Sequence, residues 1–142
     1  MIVVDSSAII AIRGEEPSWE LLVDRLTLEP LEERHASTAS FLEAGTVIAG
    51  RLSDPACATE VLEEFVEKYS LTLLPVDEEQ IRIALEARIR YGRGFGHPAK
   101  LNFGDCFSYA LAKTLRAPLL YTGDDFTKTD IRSALKKRTR KK

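Results

Sequence analysis

A chain of 142 residues, 44% hydrophobic and 30% charged, has the length and composition of a single globular domain. No apolar run approaches the ~20 residues of a membrane span, and the first residues lack the basic start and long apolar stretch of a signal peptide. A cytoplasmic location with no membrane contact is therefore expected. The net charge of −2 hides an asymmetry: residues 132–142 carry seven Lys/Arg and no acid, which leaves 13 positive against 22 negative charges, or −9, on residues 1–131.

In chain order, "MIVV" is short and β-branched and reads as a buried strand ending at Asp5. From Ser18 a helical pattern begins, with Trp19, Leu22, Val23 and Leu26 on one face. "ERHASTAS" reads as a short strand or turn, with Thr38 or Ser40 as the cap of a helix carrying Phe41, Leu42 and Ile48. Ala58, Val61, Leu62, Phe65, Val66 and Tyr69 form an apolar stripe at helical spacing. "LTLLPV" is a strand, and Asp77 caps a helix expected to bury Ile81, Ala84, Leu85 and Ile89. A Gly-rich connection, "RYGRGFGHPAKLNFG", leads to a helix from about Asp105, and "PLLY" is the last strand, ending in Asp124 and Asp125. Cys57 and Cys106 lie in helical patterns and are expected to be buried thiols rather than a disulfide.

Strands alternating with helices argue for a largely parallel sheet covered on both faces, in one domain. Ligands of such sheets sit outside the carboxyl ends of the strands, where Asp5 and Asp124 fall. Glu43, early in one helix, and Asp105, at the start of another, are placed to join them. Singly, each acid has an ordinary explanation: a helix cap, a partner for the helix dipole, or a solvated side chain. Together they form a constellation that would repel itself, since like charges ~4 Å apart cost ~4 kcal/mol at an effective dielectric near 20. Such a cluster is protonated or holds cations. Ligation by oxygen alone suits Mg²⁺ or Mn²⁺, and isolated His35 and His97 argue against zinc. Ser7 and Thr122 sit beside the acids and either orient a water or close turns.

"VDSSA", the early-helix Glu43, "LNFGDCFSYALAK" and "LLYTGDDFTKTDI" together resemble PIN-domain ribonucleases, specifically the VapC toxins of type II toxin–antitoxin pairs. The resemblance spans residues 1–132 and leaves residues 133–142 as a basic C-terminal tail. It implies an α/β/α sandwich and a Mg²⁺- or Mn²⁺-dependent endoribonuclease cutting structured RNA, often tRNA, by in-line hydrolysis. It also implies a homodimer and neutralisation by a cognate VapB antitoxin. The family's first three acids fall on Asp5, Glu43 and Asp105. The fourth falls on Asp124, counted from Thr122, with Asp125 as the close alternative and otherwise a helix cap or supporting partner. The Gly-rich stretch places Arg90, Arg93 and Lys100 near Asp105, as a clamp on an RNA backbone or as a plain surface loop.

Three other readings fit less well. An aspartate-nucleophile phosphatase needs a second acid two residues after the first, where Ser7 stands. A phosphoacceptor domain needs a mid-chain acceptor that Asp77 supplies only weakly. An inactive scaffold binding RNA or a partner protein has no need of all four acids.

Overall fold

Three short, largely apolar runs and one more polar run, Arg34–Ser37, make the strands β1 (Ile2–Val4), β2 (Arg34–Ser37), β3 (Thr72–Leu74) and β4 (Leu119–Leu120). The computed structural model describes residues 1–135. All strand pairs are parallel, in the order β3-β2-β1-β4, with Val3 opposite both His35 and Leu119. Parallel neighbours need long crossovers, and helices supply them. α1 (Ser6–Arg13) and α2 (Trp19–Thr27) join β1 to β2, and α3 (Thr38–Arg51) and α4 (Ala58–Tyr69) join β2 to β3. α5 (Glu78–Tyr91) and α6 (Asp105–Leu115) join β3 to β4.

Successive strand residues face opposite ways, so each strand feeds two cores. Ile2, Val4 and Leu120 pack with Ile9, Leu22, Ile48 and Phe65 of α1–α4. Val3 and Leu119 pack with Ala84, Tyr91, Tyr109 and Leu111 of α5 and α6. The result is the expected α/β/α sandwich. Because every strand runs the same way, all their carboxyl ends open on one rim.

Several local expectations change. Helix α1 has no clear amphipathic signal because Ser6, Ala8, Ile9, Ala11 and Ile12 are all buried, leaving little polar face to mark its period. The cap of α3 is Ser37, whose hydroxyl accepts the Ala39 N–H, and neither Thr38 nor Ser40. Asp77 caps α5 as expected, accepting the Gln80 N–H at 2.8 Å. That helix, however, buries Gln80, Ala84, Ala87 and Tyr91, while Ile81, Leu85 and Ile89 are exposed by 47–59%. The most apolar stripe of α5 therefore faces outward, because α6 approaches on the side of small Ala84 and Ala87. Cys57 is exposed in a one-turn 3-10 segment, not buried in a helix, whereas Cys106 is buried.

The Gly-rich connection is partly ordered by pairing: Leu101 N–H donates to Tyr91 O, and Arg93 N–H donates to Leu101 O. At the other end, residues 133–135 belong to the body rather than to a tail. Ser133 bridges in parallel to Leu119, and Ala134 and Leu135 pack on the core beneath α1 and α2. Residues 136–142, the bulk of the expected basic tail, lie outside the described residues. Among the described residues, no helix is long and apolar enough to cross a membrane.

Candidate active site

Asp5 ends β1 and is almost wholly buried. It caps α1, as its position suggested: Oδ2 accepts the Ser7 N–H at 3.1 Å and the Ser7 hydroxyl at 2.7 Å. It also reaches across the sheet rim, since Oδ1 accepts the Ser108 hydroxyl of α6 at 2.5 Å. Ser108 spends its only proton there, so Ser40 of α3 donates to Ser108 across 2.9 Å. Ser7 Oγ in turn accepts the Thr122 N–H at 3.1 Å, which ties the loop after β4 to the start of α1. Asp5 thus lies where three helices and two strand ends meet.

Glu43 comes from the second turn of α3, and its Oε1 accepts the Ser6 hydroxyl at 2.5 Å. Its other oxygen lies against Gly104, where an added Cβ would stand only 2.0 Å from Oε2. Gly104 has an ordinary helical φ of −64°, so a side chain there would meet no backbone strain but would have to push the Glu43 carboxylate from its place. Burial, and then the charge of Asp5, raises the Glu43 carboxyl above its usual range, with the Ser6 bond partly offsetting this.

Asp105 opens α6 in a reciprocal cap. Its N–H donates to Asn102 Oδ1 at 2.8 Å, and its Oδ2 accepts the Asn102 N–H at 3.0 Å. Burial pushes the Asp105 carboxyl up to about 7. The Asn102 N–H opposes that rise, while the charges of Asp5, Asp125 and Glu43 add to it. Four carboxylates from four segments therefore act on one another. Among the described residues no Lys, Arg or His forms an ion pair with any of them.

Both Asp124 and Asp125 are exposed in the turn after β4, and no helix follows for either to cap. Of the two, Asp125 is the one whose charge adds to the rise of Asp105. Arg93 and Lys100 are exposed on the Gly-rich connection. Arg90 lays its guanidinium over the Tyr91 ring, 4.9 Å from the centroid, in a groove with Glu86, Tyr109 and Asp130 alongside α6.

The carboxylates share a rim without yet sharing a point. Asp5, Glu43 and Asp105 are each turned to a local donor, and among the described residues no three acidic, imidazole or thiol groups are arranged to hold a metal ion outright. The donor chemistry nevertheless fits a hard divalent cation. It is all oxygen, buried at Asp5 and Asp105, and short of positive charge. Of the residues that aim the acids, Ser40 stood out in the sequence only as a possible helix cap, and Ser6, Asn102, Gly104 and Ser108 carried no reading of their own. Two signals were available: the Asn102-x-x-Asp105 spacing of a capping box, and a lone Ser108 inside an otherwise apolar helix.

The PIN domain family matches this chain over residues 2–132. A VapC ribonuclease of Mycobacterium bovis and the ribonuclease VapC28 of Mycobacterium tuberculosis are each 44% identical over 136 residues, 96% of this chain and 99% of theirs. A ribonuclease VapC of Mycolicibacterium smegmatis is 43% identical over 129 residues, 91% of this chain and 96% of that relative. Among solved structures, that of VapC20 from Mycobacterium tuberculosis, a toxin that cleaves the sarcin–ricin loop, covers 92% of this chain and 96% of its own. The TM-score is 0.71 at 16% identity, a likeness of fold.

Proposed function

The chain belongs to the PIN-domain family, in its VapC branch, and from that premise we propose a toxin endoribonuclease whose hydrolysis of RNA depends on Mg²⁺ or Mn²⁺. One observation carries the metal part of this reading: a buried Asp105 pressed by three other carboxylates, with no cation among the described residues paired to any of them. Asp5, Glu43, Asp105 and Asp125 would hold the ion, with Asp124 set aside. When bound, it supplies acidification of a water and neutralisation of charge developing on the phosphodiester.

The chain's own residues do the positioning. Ser7 and Ser108 fix both oxygens of Asp5, Ser6 fixes one oxygen of Glu43, and Asn102 fixes one of Asp105. Gly104 lets the Glu43 carboxylate approach the first turn of α6. Preset orientation of this kind reduces the ordering that would otherwise accompany reaction.

The partners follow from the same features. The substrate is structured RNA such as tRNA, with Arg90, Arg93 and Lys100, all three exposed, to meet its backbone. A cognate VapB antitoxin silences the site by inserting a basic side chain, since a guanidinium can pair with two carboxylates in place of an ion. A homodimer is supported by the outward apolar stripe of Ile81, Leu85 and Ile89.

The test is to sequence RNA 5′ ends after inducing this chain beside its Asp5→Asn variant, and to repeat cleavage in vitro with EDTA. New ends that vanish with either change are expected. Ends that persist in chelator would overturn the metal dependence, and RNA binding without cleavage would return the inactive scaffold.

A further inference from the structure

The acidic rim poses a difficulty for any nucleic acid that approaches it. Four carboxylates repel a phosphate backbone, and among the described residues no cation is paired with them to soften the field. Part of the grip on an RNA near the reaction centre must then come from something other than charge. The segment that opens α6 carries such a feature. Phe103 is 72% exposed, although it stands only two residues before buried Asp105 and next to Gly104, which touches the Glu43 carboxylate.

Its position is not that of a loose loop residue. The reciprocal Asn102–Asp105 bonds bracket it, so the turn that presents its ring is closed on both sides. Phe107, half-buried one turn along α6, supports the ring edge-to-face, with centroids 5.1 Å apart and planes at 78°. An aromatic ring held this way and left open to solvent has already lost most of the freedom that binding would remove. Neither core needs it, since it packs into neither.

We infer that Phe103 is a stacking platform for a nucleobase of the RNA, the base being unstacked beside the phosphodiester that the carboxylates address. This rests on the ribonuclease reading above. Single-stranded and looped RNA is gripped by splayed bases lying on aromatic faces, and every base has such a face, so the contact tolerates sequence. It is also insensitive to the repulsion that an acidic rim exerts on phosphates.

The experiment compares Phe103→Ala, Phe103→Leu and Phe103→Trp in the full chain, using an oligoribonucleotide loop substrate that the wild-type chain cuts. Binding is read separately on the Asp5→Asn background, with 2-aminopurine placed beside the cut, whose fluorescence falls on stacking. Ala and Leu should each weaken binding and raise KM by about five- to 150-fold, the range for loss of one base–aromatic stack, with kcat changed less. Trp should restore both binding and quenching. Leu equal to wild type would overturn the proposal in favour of plain apolar contact, as would an unchanged KM for Ala. A change of oligomeric state with unaltered RNA binding would assign Phe103 to a protein interface instead. A wild-type chain that neither binds nor cuts any RNA would bring down the ribonuclease reading itself, a different result from an active chain indifferent to Phe103.

Discussion

Asp105 concentrates the chemistry of the site in one group. Its carboxyl is raised to about 7, chiefly by burial and further by Asp5, Asp125 and Glu43, whereas an unfolded aspartate titrates near ~3.9. Between those values the folded state holds a proton that the unfolded state has lost. This contribution to stability is complete below about pH 4 and disappears as pH rises through about 7. In EDTA the wild type should therefore lose melting temperature across that window. Asp105→Asn, whose amide oxygen still accepts the Asn102 N–H, should lose less and overtake it at pH 8 by roughly 4 °C for each kcal/mol of relief. Parallel melting curves for the two proteins across the window would contradict this. A second residue-scale test concerns the fourth acid. Asp125→Asn should lower kcat/KM on the order of tenfold or more, and Asp124→Asn should do less, because the charge of Asp125 adds to the rise of Asp105. The reverse ranking would restore Asp124. From sequence alone the two could not be separated, since one residue along a turn reverses where a carboxylate points.

At the scale of elements, strand ends and helix starts were readable because their signals are local. β-branched runs, the Asp77 cap and the position of Asp105 all survive in the structure. Which side of a helix faces the core was less readable. α5 has three large apolar residues at i, i+4 and i+8, a spacing that marks a buried stripe, yet these three, Ile81, Leu85 and Ile89, face solvent while Ala84 and Ala87 face α6. A close helix–helix crossing selects small residues, and periodicity weighs only polarity. The stripe is available for a symmetric contact between two copies. Leu85→Glu, at its centre, should turn a dimer into a monomer by light scattering while leaving the melting temperature of the isolated chain within a few degrees, as expected for an exposed site. A variant that stays dimeric would move the interface elsewhere. The serine network was illegible for another reason. Ser108 meets Asp5 across 103 positions of chain, and no local pattern encodes such a contact.

For the molecule as a whole, the parallel sheet turns sequence distance into proximity. Acids from β1, α3, α6 and the turn after β4 gather because every strand delivers its carboxyl end to the same rim. The charge so gathered is a standing cost of the metal-free fold, and a ligand that relieves it stabilises the native state by mass action. Mg²⁺ or Mn²⁺ at a hundred times its dissociation constant should add about 2.7 kcal/mol, seen as a rise in melting temperature. Asp5→Asn should blunt the rise at equal ion concentration. An equal rise in both proteins would point to ions bound elsewhere on a surface that carries −9 over residues 1–131.

The close fit of Gly104 against Glu43 bears on how such a protein can be lost. A gene whose product harms its host is under selection for disabling changes, and those that spare the fold are the hardest to notice in a screen for expression. Alanine at position 104 keeps every carboxylate, yet its methyl group would have to occupy the place of Glu43 Oε2. The glutamate would be displaced and the rest of the rim left in order. When a mutagenised library is induced and the survivors are sequenced, codon 104 should be enriched alongside those of Asp5 and Asp105, and the purified Gly104→Ala protein should fold normally while cutting RNA poorly. Survivors that never carry a change at that codon would mean that the glutamate moves aside without consequence.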